Sequence, residues 1–130
     1  LSLYNAKFVC LLMCQSPSPE PCTQLILPID QVCAFHVLPP VKEPLDYDPN
    51  EPNLRFEQAH IITGMYQISG KIRLPINASL MKYLKDTREQ YTSVYDAVVS
   101  CPGLSKSGEI RTPFILVRKQ ASIFIDIPKS

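Results

Sequence analysis

Residues 92–101 read Thr92-Ser93-Val94-Tyr95-Asp96-Ala97-Val98-Val99-Ser100-Cys101, and residues 1–10 read Leu1-Ser2-Leu3-Tyr4-Asn5-Ala6-Lys7-Phe8-Val9-Cys10. Ser, Tyr, Ala and Cys coincide at four of the ten places. After a loop two residues longer in the first stretch, 23–40 aligns with 112–129, where Thr, Ile-Leu, Gln, Phe and Pro coincide at six of eighteen places. Ten coincidences over 28 positions stand against about two expected from average composition. The chain therefore reads as two unequal copies of one unit: a partial copy over 1–40, a connector over 41–55 and a complete copy over 56–130. On this reading the segment 56–91 has no counterpart ahead of Leu1. Position 1 then falls inside a domain whose opening half is missing or comes from another chain.

Working outward through the complete copy, Phe56–Tyr66 and Gln67–Leu74 read as paired strands. Ile61, Ile62, Met65, Ile68, Ile72 and Leu74 form their apolar side, and Gly64 and Gly70 mark a bend or bulge. Pro75 closes the second strand because it has no amide to donate. Asn77 is the expected cap of a short amphipathic helix over 78–86, with Lys82, Lys85 and Asp86 on its outer face. Val94–Cys101, Ile110–Arg118 and Ala121–Ile127 complete a β-β-α-β-β-β unit. In the last strand Ile123, Ile125 and Ile127 share a face at period two. By the repeat, the first copy holds strands over 3–14, 23–29 and 31–38. Three strands without their partners leave an unpaired edge and an uncovered apolar face, so the first copy must pack on something.

The 130 residues carry 13 Lys+Arg and 12 Asp+Glu, a net charge of +1. This is the sum of −3 over 1–55 (three basic, six acidic) and +4 over 56–130 (ten basic, six acidic). Opposite signs on the two halves favour head-to-tail association by electrostatic complementarity. Thirteen prolines, four glycines and 45% hydrophobic residues exclude a collagen-like, flexible-linker or disordered chain. The longest apolar run, Phe8–Cys14, is far short of the roughly 20 residues of a spanning helix and reads as a buried strand. Five prolines (39, 40, 44, 49, 52) and four acids (Glu43, Asp46, Asp48, Glu51) lie between the copies. Such a connector is expected to be extended and solvated, with Leu45 and Tyr47 able to pin it to a neighbouring surface.

The motifs of catalysis are missing. The chain has no phosphate-binding loop, dinucleotide fingerprint, His-Glu-x-x-His or Gly-x-Ser-x-Gly sequence. Cys10, Cys14, Cys22, Cys33 and Cys101 are odd in number and lack the paired spacing of zinc sites. They read as free thiols. His36 and His60 read as structural or surface residues. No catalytic residue, metal site or cofactor is expected, and the Asn5/Asp96 exchange within the repeat points to a shared backbone geometry. A nucleic-acid reading rests on Lys82, Lys85, Arg88, Arg118 and Lys119, of which the first copy replaces the last two by Ile29 and Asp30.

Ile68–Pro75, Leu80–Leu84, Tyr95–Val99 and Thr112–Val117 together resemble a family of small bacterial β-rich domains of unknown function. In that family a strand pair ends in a proline turn, a short Leu-rich helix follows, and then come a Thr-Asp-Ala/Val-x-Val strand and a Pro-Phe-Leu-x-Val-x-Lys strand. Tyr95 stands here at the family's Thr, and Arg118-Lys119 near its Lys. The resemblance covers about 56–128 and implies a bacterial, cytoplasmic protein, with no catalytic residues to carry over. Phe114–Pro128 is also similar to the closing strands of Sm-like small barrels, with Gln120 at their glycine and the helix inside the unit instead of ahead of it.

The sequence thus predicts a mostly β protein: small open β-barrels, one copy complete and one partial. The expected role is that of a non-catalytic structural or accessory subunit contacting a protein partner or further copies of itself. Phe8, Leu11, Met13, Leu45 and Tyr47 are the expected contact residues. The alternative is a small-barrel nucleic-acid-binding module using the five basic residues named above.

Overall fold

Apolar alternation runs through 54–63 and 66–75, and the two stretches become the longest paired strands of the computed structural model. It describes residues 2–8, 20–36, 46–102 and 109–127. The strands are β1 (Ser2–Phe8), β2 (Glu20–Ile26), β3 (Ala34–Phe35), β4 (Leu54–Thr63), β5 (Tyr66–Pro75), β6 (Tyr91–Ser100), β7 (Ile110–Arg118) and β8 (Ser122–Ile125). One helix, α1 (Leu80–Asp86), follows β5, and 3-10 turns precede β3 (Ile29–Gln31) and β8 (Lys119–Ala121). The protein is mostly β, with a curled antiparallel half-barrel sheet.

The chain forms two compact units, divided between Val32 and Cys33. In the first, β1 and β2 pair antiparallel, Tyr4 opposite Gln24 and Ala6 opposite Cys22. In the second, six strands are ordered β3-β7-β6-β5-β4-β8. Only the 3-10 turn at 119–121 separates β7 from β8, although these strands lie near opposite ends of that order. The sheet must therefore curl for so short a link to reach.

The concave side holds the core. Ile61, Ile68, Ile72, Leu74, Val94 and Val117 are almost wholly buried, and Leu80 with the half-buried Tyr83 and Leu84 brings α1 onto them. Burying each large aliphatic side chain is worth about 1.5–3 kcal/mol, so this cluster dominates the stability of the unit.

Two departures from strict alternation set the curvature. Asp96 has φ +48°, and the β5–β6 register shifts between Ser69/Val98 and Lys71/Tyr95. The inward positions accordingly switch from Thr92 and Val94 to Ala97 and Val99. This is a bulge, which bends and twists the strand. Gly70 faces it. A Cβ there would lie 2.5 Å from Val94 Cγ1 and 2.9 Å from the Tyr95 carbonyl oxygen, so the close approach of β5 and β6 requires glycine. At the other end Gly64 turns β4 into β5 at φ +58°, a conformation open to glycine at no steric cost.

Several expectations need correction. The helix is capped by Ser79, whose hydroxyl accepts from the Lys82 amide at 3.3 Å, and not by Asn77. Residues 75–78 form a turn, held by Arg55 donating to the carbonyls of Ile76 (3.2 Å) and Ala78 (2.8 Å). The turn between the paired strands is Gly64-Met65, and Met65 is exposed. The last strand ends at Ile125 and so does not reach Ile127; Ile123 and Ile125 share its outward face, while Phe124 packs on the core. The strand expected over 31–38 is a two-residue bridge after a 3-10 turn. Of the strand expected over 3–14, residues 9–14 lie outside the described ones.

Candidate functional site

Strand alternation places Tyr91, Ser93 and Tyr95 of β6, Arg73 of β5 and Phe56 of β4 away from the core side chains. Residues 46–53, expected to be solvated, fold as turns bonded to this outer face. The Asp46 carboxylate accepts from the Ser93 hydroxyl (2.8 Å) and from the Tyr95 hydroxyl. Tyr47 meets Phe56 and Tyr95 edge-on, with ring centroids 5.8 and 5.2 Å apart. Phe56 and Tyr95 are themselves 5.6 Å apart, and Tyr95 reaches Phe114 of β7 at 5.6 Å. The last pair is tilted and the other three are T-shaped; aromatic pairs of this kind are worth about 0.5–1.5 kcal/mol each beyond area burial.

Arg73 binds this lid from below. Its guanidinium donates to the Asp48 carbonyl oxygen at 2.8 Å and to Glu51 at 3.3 Å, and lies 4.4 Å from the Tyr47 ring centre. Its side chain is only 12% exposed, so the ring contact and the carbonyl bond count for more than the pair with the exposed Glu51. Burial, and then the hydrogen bond to Asp46, push the Tyr95 hydroxyl well above the usual tyrosine range. Its role is therefore that of a neutral donor.

Beside the lid a cleft of about 350 Å³ opens between the end of α1 and the starts of β6 and β4. Glu89, Tyr83, Thr87 and Tyr91 line it together with the lid residues. The Tyr91 phenol oxygen is buried without a hydrogen-bond partner.

The far end of the outer face is different. The register aligns Ile123 with Ile62 and Gln67, and Ile125 with His60, Ser69 and Val98. Ile125 and Ile127 border a shallow groove of about 300 Å³ with Ile62 and Val98. Ile123 is 63% exposed and Ile127 52%.

The residues expected from sequence fall as follows. Tyr47 sits in the aromatic lid on its own unit. Leu11, Met13 and Leu45 lie outside the described residues, and Phe8 is a backbone position opposite Glu20. Lys82, Lys85 and Arg88 are exposed on or just after α1. Lys119 is drawn to the helix end, its ammonium donating to the carbonyls of Leu84 (3.1 Å) and Thr87 (2.7 Å), which satisfies groups that a helix terminus leaves open. Arg118 donates to Gln120 at 3.3 Å. The basic residues thus gather at one corner, with Lys119 held there structurally. Cys22, Cys33 and Cys101 are free thiols, and Cys10 and Cys14 lie outside the described residues.

Asp46, Glu51, Arg73, Tyr91 and Tyr95 were not expected as site residues. Their signal was the polar-aromatic alternation Tyr91-x-Ser93-x-Tyr95 opposite an acidic segment with one tyrosine. Among the described residues no helix is long and apolar enough to cross a membrane. No family model, curated protein or solved structure matches the chain.

Proposed function

We propose that the chain is a non-catalytic structural or accessory subunit that makes protein–protein contacts in a larger assembly, with further copies of itself as the partner. The reading takes 56–130 as a complete unit and 1–40 as a partial copy. The observation that carries it is the position of β3. The repeat aligns Ala34-Phe35 with Ile123-Phe124 in β8, yet β3 pairs with β7, Ala34 opposite Val117 and Phe35 opposite Leu116. On the repeat reading, a strand of one copy extends the sheet of the other, which is strand addition at an edge.

Two further observations support it. The β1 and β2 strands pair antiparallel, as β6 and β7 do, with Tyr4 and Tyr95 at paired positions in their respective strands. Each second strand is followed by a 3-10 turn and a short strand. The β8 edge, last in the strand order, carries the exposed isoleucines, and an open edge with apolar side chains is a template for another strand.

The test is the mass of the purified chain in solution across a concentration series. Oligomers that revert to monomer in Ile125→Lys are expected, with no change on adding single-stranded RNA. A monomer at every concentration that binds RNA with steep salt dependence would instead favour the alternative, a nucleic-acid-binding module using Lys82, Lys85, Arg88, Arg118 and Lys119. The specific observation behind that alternative is the docking of Lys119 on the helix end, beside Lys85 and Arg88.

A further inference from the structure

The cleft beside the aromatic lid has a charge and wall chemistry of its own. Its volume, about 350 Å³, lies within the range of small-ligand sites, roughly 300–1,000 Å³. Three carboxylates border it, Asp46, Glu51 and Glu89. Glu51 is neutralised by Arg73. Among the described residues Asp46 accepts from the two uncharged hydroxyls of Ser93 and Tyr95. Glu89 is exposed and has no bonded partner among the described residues. Among the described residues, therefore, two carboxylates without an ion-pair partner stand beside tyrosine rings.

The unit already shows how this neighbourhood receives a cation. Arg73 lies over the Tyr47 ring at 4.4 Å with its guanidinium hydrogen-bonded to the Asp48 carbonyl oxygen, and the ring quadrupole attracts a cation placed over its face. Tyr91 adds a separate indication. It lines the cleft and its phenol oxygen is buried and unpaired, and a buried polar group left without a partner is destabilising. A ligand N–H would meet it. The lining includes the rings of Tyr47, Tyr83, Tyr91 and Tyr95 beside Leu54, Ile72 and Pro75, and the described residues bring no group of three or more His, Cys, Asp or Glu together for a metal. The nearby ammonium of Lys119 is turned to the helix carbonyls.

We propose that this cleft binds an organic cation, a guanidinium or primary ammonium carried on an aliphatic stem. Glu89 and Asp46 supply the charge, Tyr83, Tyr91 and Tyr95 the apolar walls, and the Tyr91 oxygen accepts one N–H. The cation is either a free small molecule or the side chain of an arginine or lysine in a bound peptide. This site is independent of the assembly reading.

The experiment titrates the isotope-labelled full chain with n-butylguanidinium, n-butylammonium and the neutral n-butylurea, following backbone amide shifts. Saturable shifts at Asp46, Tyr47 and Tyr91–Tyr95 are expected with both cations and not with the urea. Glu89→Gln should weaken binding roughly three- to tenfold, and Tyr91→Phe should weaken the guanidinium. Glu109→Gln, at the far groove, should leave both unchanged. A blocked Gly-Arg-Gly peptide binding more tightly than n-butylguanidinium identifies a protein side chain as the source, and weaker binding identifies a small molecule. Equal shifts with n-butylurea, no saturable shifts with any cation, or full affinity in Glu89→Gln would overturn the proposal.

Discussion

The outer face of one sheet is treated in two ways. At the end where β6 begins, the chain folds its own segment 46–53 over the strands, with Tyr47, Phe56 and Tyr95 in edge-on contact and Phe114 tilted against Tyr95, and Arg73 tying the segment down. At the end where β4 turns into β5, the outward positions include Ile62, Val98, Ile123 and Ile125 beside His60, Gln67 and Ser69, and Ile123 and Ile125 stay exposed. The inner face beneath both ends is mostly apolar, with Thr63, Thr92 and Thr112 as its buried polar side chains. The difference shows that this fold can cover its outer face from within one chain, using aromatic rings and charge-assisted hydrogen bonds. Where it does not, it leaves aliphatic side chains beside an open edge, the chemistry of a contact made by another molecule.

Substitutions can break the covered end selectively. Gly70→Ala should have the largest effect, about 2–3 kcal/mol. The added methyl meets Val94 Cγ1 and the Tyr95 backbone, so β6 must move and take the lid with it. Urea denaturation measures the loss, and near-ultraviolet circular dichroism should report weakened tyrosine packing. Arg73→Met keeps the stem but removes the bonds to Asp48 and Glu51 and the ring contact, and should cost about 1–2 kcal/mol. Limited proteolysis within 46–53 should accelerate in that variant.

Tyr95→Phe leaves the ring and removes one of two hydroxyls on Asp46, a loss of about 1 kcal/mol near neutrality. Its signature is in the pH dependence. The folded protein holds the Tyr95 proton to higher pH than the unfolded chain does, so the stability it contributes is complete below the ordinary tyrosine pKa of about 10. It declines as pH rises from there through the raised folded value. The wild type should lose stability with rising pH more steeply than Tyr95→Phe in that window. Parallel slopes would contradict the role given to Tyr95. The smallest stability effect belongs to the bare end. Ile125→Lys should alter monomer stability by no more than about 0.5 kcal/mol, since the side chain already faces outward, and its effect should appear in association.

The two ends were also unequally legible in the sequence. Period-two patterns in 56–74 and 110–118 announced the strands because burial on one face leaves a direct imprint on residue choice. Pro75 marked the end of β5 for a reason internal to the residue. Asn77 misled because Ser79 offers the same capping chemistry two residues on, and the choice was made by Arg55, far away in sequence, fixing the carbonyls of 76 and 78. Ile123, Ile125 and Ile127 read as one face, and alternation alone does not say which side that face looks to. The lid was illegible for another reason. Acids and prolines in 46–52 carry the composition of a solvated linker, and only Arg73 and Tyr95, brought in by the sheet, turn Asp46, Tyr47 and Glu51 into a bonded cover.

The difference between the ends rests on whether the bare one is a contact between copies, and sedimentation velocity across a wide concentration range tests this most directly. The wild-type chain should shift from monomer to larger species as concentration rises, while Ile125→Lys stays monomeric with unchanged circular dichroism. A wild-type chain that remains monomeric throughout, or an Ile125→Lys variant that associates equally well, would contradict it.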